Sequence, residues 1–500
     1  MNIKHLFSLG VVVAARNVLF DGGTIISFDE EAGGVKVLRN HSVLVKGNTI
    51  SAIFPSGSGT DLPEDVDVVP VSGKILTPGF IDTHRHLFQS AFKTIASNIT
   101  MAAYFATLSP YVPNVINRLG PDDIYYGQMM AIRESLGAGV TSIVDHSYGT
   151  FDEGTSRASL QASIDSGARI QWCFGLHQIP NNFTIAKQAG VFQQLLRDTD
   201  WASTIVRPGI SFDEFADAPQ SVLDTVINLI SKSNLSTLTT HFLGGPWIGA
   251  NSPKLLKDLG LLNSSTPVIF SHATALTPED AAVLREYDHH IAIAPESEMH
   301  FGHGYPHSHK IMDQAALAID ASWAWSGDIV TQARIWLQSV RVRLYQATLD
   351  NWRVPKNNPM SVNQAFLLAT RAGAKALRRS DLGVLSVHAK ADIVVFDGSA
   401  PNMVGWNDPV AAVILHSNPG NVEHVMVDGQ FRKRDFKLIT PSKTSRSLED
   451  LTERFLKSAE RIQSQFLADP PTSLYGEHKP GVPYAQLSNV DVLPGRNTGY

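Results

Sequence analysis

The chain has 500 residues, 43% apolar and 18% charged, with a formal net charge of −6. That balance describes an ordinary soluble globular protein large enough for more than one structural unit, and it excludes a disordered or fibrous chain. With no long basic block there is no support for nucleic-acid or anionic-membrane binding. No apolar run approaches the ~20 residues of a membrane span, and the single cysteine, Cys173, precludes an intrachain disulfide.

The opening stretch, MNIKHLFSLGVVVAARN, loosely imitates a secretory signal, with one lysine, a short apolar run and small residues. A β-strand feeding NVLFDGGTIISFD is the preferred reading. One cysteine points to a reducing, cytoplasmic setting, with secretion as the minor alternative. NVLFDGGTIISF, HSVLVKGNTISAIF and VDVVPVSGKILTP are β-branched runs broken by Gly, Asn and Asp turns, so residues 1–76 read as β structure.

From residue 77 to 377 short apolar runs alternate with longer amphipathic stretches, as repeated βα units require. The expected strands are TPGFIDTHRH, VTSIVDHS, RIQWCFGLH, TIVRPGIS, LTTHF, VIFSHATA, HIAIAPES and ALAIDAS. Helix-like segments such as DDIYYGQMMAIRESLGAG, QSVLDTVINLISKS, TPEDAAVLREY and SVNQAFLLATRAGAKAL lie between or after them. Eight such strands predict an α/β fold built on a (β/α)8 TIM-type barrel. No Gly-rich dinucleotide turn follows any strand, which argues against a doubly wound sheet. ADIVVFDG, DPVAAVILHS and VEHVMVDGQFRKRD then return to β character. Residues 378–440 are therefore expected to join 1–76 in one small β-sandwich domain made from both chain ends. Residues 441–500 read as an amphipathic helix, with Leu448, Leu451, Phe455 and Ile462 near one face, and an extended tail.

Active sites of such barrels are built at the C-terminal ends of the strands. The first strand ends in His84 and His86, the fifth in His241, the sixth in His272 and the eighth in Asp320. Alternation along the strand points both imidazoles of the HxH pair into the mouth and turns Arg85 away. Each histidine alone is weak, since the chain holds 18. His177, His290, His307, His309, His388 and His416 are read as hydrogen-bonded core or surface residues. The ordered set, four imidazoles and one carboxylate, suits a borderline-soft divalent ion.

That set resembles the amidohydrolase superfamily, and more closely its branch of cytosine, guanine and S-adenosylhomocysteine deaminases and triazine deaminases and chlorohydrolases. GKILTPGFIDTHRH is similar to the family's entry into strand one, and LGAGVTSIVDHS to its second strand. TRAGAKALRRSDLGVLSVHAKADIVVFD is similar to its return from barrel to sandwich. The resemblance implies that His84, His86, His241 and Asp320 hold one zinc or iron ion, with His272 in or beside the ligand set. TIVRPGIS offers no lysine for a carboxylated bridge, so a single ion is expected. The implied chemistry is metal-assisted hydrolysis of a small cyclic C–N substrate. Asp320 would be the general base, and His272 would polarise the electrophile.

In that branch the strand-five histidine begins an HxxE motif whose glutamate shuttles a proton to the ring nitrogen. Here HFLGG places Gly244 at that position. Glu296 and Glu298, in APESEMHFGHGYP after strand seven, are the candidate replacements, with His300 and His303 beside them. Aromatic residues expected near the mouth are Trp172, Phe174, Phe242, Trp247, Trp323 and Trp325. Trp323 is the first choice for substrate contact, with Phe242, Trp172 and His303 as further candidates. The alternative function is a non-hydrolytic metal-dependent lyase, such as a decarboxylase, on the same scaffold. The partner implied is a small molecule, and similar enzymes are commonly dimers, so a homodimer is allowed for.

Overall fold

A computed structural model describes residues 17–58, 61–304, 307–440, 444, 446–470 and 472–487. The signal-like stretch at the N-terminus lies outside the described residues. Eight parallel strands follow one another around a single sheet: Phe80–His86, Val140–Ser147, Arg169–Leu176, Arg207–Phe212, Leu238–Phe242, Val268–His272, His290–Ile293 and a broken eighth. The eighth is split into Ala315–Leu317, which pairs with the seventh, and Asp320–Ala321, which pairs with the first. The sheet thus curls until its last strand meets its first, consistent with the expected TIM-type barrel.

Helices follow the strands on the outside, started by the caps their sequences supply. Asp152 accepts from Thr155 N, and Thr277 exchanges bonds with Asp280 across a capping box. Inside the sheet small and branched residues, one or two from a strand, share a core: Ile81, Val144, Cys173, Ile269, Ala292 and Ala316. Cys173 is fully buried, and burial pushes its thiol well above the ordinary range, so it is a packing residue.

Strand one is not a plain alternating strand. Asp82 pairs with Ile143 but Arg85 with Asp145, one residue too many on the first strand. Such a bulge re-aims side chains. It leaves His84 and His86 at the mouth and Arg85 fully buried, its Nε donating to Ser322 Oγ at 3.1 Å.

Both chain ends contribute to a second, mixed sheet. Asn17–Asp29 pairs with Gly34–Lys46, Val66–Pro70 and Ile75–Pro78; Ile393–Phe396 joins along Ile75–Pro78, and Val422–Val427 and Gln430–Arg434 follow. The strands form one hydrogen-bonded sheet, with Val66–Pro70 as a side branch on Asn17–Asp29, in the region where a small β-sandwich was expected. DPVAAVILHS, read as β, is instead helical: Asp408 caps Pro409–Ala411, and a wider turn spans Ala412–His416. Its β-branched composition misled, while the Asp-Pro start is the ordinary beginning of a helix. Among the described residues no helix is long and apolar enough to cross a membrane.

Candidate metal centre and substrate cavity

Ligand-capable atoms of His84, His241, His272 and Asp320 all lie within 4.8 Å of one another at the C-terminal ends of strands one, five, six and eight. His86 joins them, its Nε2 3.3 Å from Asp320 Oδ1, the same distance as His84 Nε2. The five residues expected at the centre therefore converge.

Each imidazole is oriented by what holds its other nitrogen. His86 Nδ1 donates to the His146 carbonyl at 2.9 Å, His84 Nδ1 meets Ser271 Oγ at 2.8 Å, and His241 Nδ1 donates to Asp213 Oδ2 at 2.6 Å. This leaves the Nε2 lone pairs facing inward, the arrangement by which a protein prepares imidazoles for a metal. His84 Nε2 is buried without a hydrogen-bond partner. Burial holds His84 well below the ordinary histidine range and His86 down to about 3, so both are neutral, as ligands must be. Burial works against ionisation of Asp320 as well. The close approach of His84, 3.3 Å away, and of the neighbouring imidazoles outweighs it and holds the carboxyl well below its usual range. Neutral imidazoles, an ionised carboxylate and an orphaned inward nitrogen fit a divalent ion of the zinc or iron type.

Two residues of the centre sit in strained backbone. His272 and Asp320 both have φ of 71°, a left-handed conformation uncommon for residues with a side chain. Strand six ends there, and Ala273 N bonds back across to the Phe242 carbonyl at 2.8 Å. Asp320 is fixed on its other oxygen by Ser297 Oγ at 2.5 Å.

Two residues of the centre escaped the sequence reading. Asp213 follows directly on strand four, accepting from His241 N at 2.7 Å as well as from its ring. Burial opposes its charge, but His241 and His146 hold it well below the carboxylate range, and Asp213 in turn raises His241. His146 ends strand two, its ring 4.5 Å from that of His241 and its Nε2 3.4 Å from Asp213 Oδ2. Burial brings it down to about 4. The signal for both was positional: DHS closes strand two much as DTHRH closes strand one, and Asp213 stands one residue past a strand.

Above the centre opens a cavity of about 500 Å³. A larger groove, about 830 Å³ beside Arg197, Arg207 and Lys232, contains none of these ligands. The long segment after strand one roofs the cavity with Met101, Tyr104 and Phe105 from helix Met101–Thr107, and with Tyr111. Trp247, Phe301 and Trp323 complete the wall. Trp323, the expected contact, is stacked on Tyr104 at 6.2 Å, and its buried Nε1 has no partner. His303 lines the cavity with its ring 4.6 Å from His272.

Other expectations are corrected. Trp172 is fully buried in the hydrophobic core behind the sheet, packed on Phe174, with its Nε1 donating to Ser159 Oγ. Phe242 likewise belongs to the core and does not line the cavity. Strand alternation turns these two outward. Glu296 points away to Gln332 Nε2 at 2.7 Å, because its helix, Pro295–His300, carries it onto the opposite side from Glu298. Glu298 is buried behind His272, Oε1 3.5 Å from Nδ1, and reaches the cavity only through that ring. Burial raises its carboxyl, with His272 opposing.

Comparison with known proteins agrees with this arrangement. The profile of the Amidohydrolase family matches residues 75–432. A 5-methylthioadenosine/S-adenosylhomocysteine deaminase of Caldanaerobacter subterraneus subsp. tengcongensis is 24% identical, over 88% of this chain and 99% of that protein. A 5'-deoxyadenosine deaminase of Methanothermobacter thermautotrophicus is 22% identical, over 85% and 94%. The solved structure of a zinc-bound atrazine chlorohydrolase from Arthrobacter aurescens superposes with a TM-score of 0.72 at 19% identity, over 88% of this chain and all of the other. Guanine deaminase from C. acetobutylicum with bound guanine gives 0.67 at 16%, over 83% and 99%. These structural likenesses carry the fold; the profile, spanning the ligand-bearing strands and most of the chain, establishes that this protein belongs to the amidohydrolase family.

Proposed function

We propose that this protein is a metal-dependent hydrolase that cleaves a C–N bond at a ring carbon of a small flat heterocycle. The observation that carries the reading is the convergence of His84, His241, His272 and Asp320 within 4.8 Å at the floor of an aromatic-walled cavity. Relatives named for deamination of adenosine derivatives, and neighbours named for triazines and guanine, favour the same substrate shape.

His84, His86, His241 and Asp320 would hold one ion, zinc being the preferred metal and iron the alternative. That ion supplies a lowered pKa for water, from 15.7 toward ~7. Asp320, held ionised, is the base that accepts the water's proton. His272 Nε2 stands 4.0 Å from Asp320 Oδ2, so the proton has a short path to an imidazole at the cavity wall. Glu298 behind Nδ1 stabilises the imidazolium that results, and His272 then delivers the proton toward the leaving nitrogen. In this reading Glu298 takes over, through His272, the work that an HxxE glutamate does directly, and Gly244 has no part in proton transfer. Trp323 and Tyr104 hold the ring flat.

The test is metal content together with ammonia release from a panel of aminopurines, aminopyrimidines and aminotriazines in ¹⁸O-labelled water. Stoichiometric ammonia and one solvent oxygen per product support hydrolysis. Turnover with loss of CO₂ and no solvent oxygen in the organic product would establish the lyase reading instead.

A further inference from the structure

The chain leaves the second sheet and comes back to the cavity. Helix Leu448–Leu467 buries Leu451, Ala459 and Ile462, with Phe466 5.3 Å from Phe92. Arg461 pairs with Asp123 at 2.6 Å, and Gln463 Nε2 donates to the Ala91 carbonyl at 3.0 Å. Past the helix, Asp469 receives both guanidinium arms of Arg118 at 2.7 and 2.8 Å. Pinned there, the chain forms a short hairpin, Glu477–Lys479 with Val482–Pro483. His478 lies between Phe105, stacked at 6.3 Å, and Trp247, edge-on at 5.4 Å. Lys479 lines the same cavity as Asp320 and Trp323.

Charge in that cavity is unevenly committed. Asp213 is bound to His241, Glu214 accepts from Gln178 N and Nε2, and Asp320 belongs to the metal centre. Lys479, solvent-exposed at the rim, is the one lysine or arginine lining the cavity, and among the described residues no ion-pair partner for it is found. The hairpin also lies beyond residues 75–432, the part that matches the family.

We propose that the C-terminal hairpin completes the substrate cavity and that Lys479 binds a carboxylate carried by the substrate, remote from the ring carbon that reacts. The substrate class is then a flat nitrogen heterocycle with a carboxylate-bearing arm, which rests on and narrows the hydrolase reading. A single ammonium, with neither arginine fork nor second cation beside it, matches a monoanion better than a phosphate dianion. His478 and Trp247 form the apolar collar through which the arm passes.

The experiment uses the full-length, metal-loaded enzyme and matched pairs of amino-heterocycles with a carboxylate arm, a phosphate arm or a neutral amide arm. The readout is the ratio of kcat/KM for the carboxylate to that for the amide. Lys479→Met lowers this ratio about tenfold, Lys479→Glu lowers it further, and Lys479→Arg largely keeps it. A ratio unchanged in both the Met and Glu variants overturns the proposal, and so does a wild-type preference for the phosphate arm. If wild type turns over no member of any pair, the hydrolase reading fails and the subsite is judged by binding. Quenching of indole fluorescence by the carboxylated heterocycle then shows an affinity about tenfold weaker in Lys479→Met, or equal affinities, which refute it.

Discussion

Gly244 stands three residues past His241, where the expected HxxE pattern would put a glutamate, and its backbone predicts that a glutamate introduced there is not accommodated. With φ 71° and ψ −166° it lies in a region that is essentially glycine's alone. A Cβ there would stand 2.8 Å from Ala275 Cβ, far inside the ~3.5–4.0 Å of a favourable carbon contact. Backbone strain of ~1–3 kcal/mol and overpacking of ~1–3 kcal/mol together make the substitution cost on the order of 2–6 kcal/mol. Both terms come from Cβ, so Gly244→Ala and Gly244→Glu are expected to suffer alike. The loop is tied at Gly244 N to the Gly249 carbonyl and carries Trp247, and Asn251 just beyond it donates to the His241 carbonyl. Relief of the strain therefore moves a cavity wall and loosens a ligand. Thermal unfolding should fall in both variants by on the order of 5 °C, with no gain in ammonia release from any aminoheterocycle. A Gly244→Glu enzyme that melts like wild type and reacts at least tenfold faster would refute this account of the loop.

Other substitutions separate roles that lie close together. Asp213→Asn removes the carboxylate from His241 and should weaken metal binding roughly 10–100-fold in chelator competition; unchanged affinity would detach Asp213 from the centre. Glu298→Ala should cut kcat on the order of 10–100-fold with metal retained, and loss of the ion instead would make Glu298 a structural support of the site. Trp172→Ala should cost ~3–5 kcal/mol of stability and leave KM alone, whereas Trp323→Ala should raise KM; urea unfolding and steady-state kinetics distinguish them. Lys433, its Nζ bonded to the Gly137 carbonyl at 2.8 Å, is brought down by burial to about 8. Between pH 8 and ~10.4 the folded chain then holds fewer protons than the unfolded one, so stability rises with pH by on the order of 2 kcal/mol. Lys433→Met should lack that rise in urea titrations at the two ends of the window.

What the sequence made legible was whatever repeats or closes a strand. The eight strands were placed because each is a short apolar run between longer amphipathic segments, and LTTHF and VTSIVDHS coincide with the observed bounds. His84, His86, His241, His272 and Asp320 were found by standing at strand ends, which is where the fold gathers them. Orientation was less accessible. Phe242 shares its strand with His241 but does not line the cavity, and strand three, which carries Trp172, contributes no cavity residue at all; a period of two cannot say which set faces in unless the register is known. Glu296 and Glu298 are two apart on a helical turn, so one meets His272 while the other meets Gln332. Asp213 was passed over because the fourth strand was ended too early, at Ser211, and because a lysine was sought there; the carboxylate two residues on was not weighed.

The centre holds together because its strain is opposed by bonds that do not themselves face the cavity. Left-handed backbone at His272 and Asp320 costs on the order of 1–3 kcal/mol each, and neither residue would keep it at a free strand end. At strand six, Ala273 N is held by the Phe242 carbonyl and Ser271 Oγ by His84, so His272 cannot relax without releasing strands one and five. At strand eight the chain breaks after Leu317; Thr83 Oγ1 donates to the Leu317 carbonyl and Asp82 Oδ1 accepts from Ile319 N, both at 3.0 Å. Those bonds make the interruption of the eighth strand a fixed corner, and Asp320 is the residue that the corner presents. Asp82 also receives His84 N at 3.2 Å, so one buried carboxylate sets the approach of two site residues from neighbouring strands. A site arranged this way is rigid before any ion or substrate arrives, as differential stabilisation of a transition state requires. Removing Asp82 as Asp82→Ala should therefore disorder both ligands together, with metal affinity and kcat falling in step, while Asp320→Asn spares the corner and lowers kcat more than it weakens the metal.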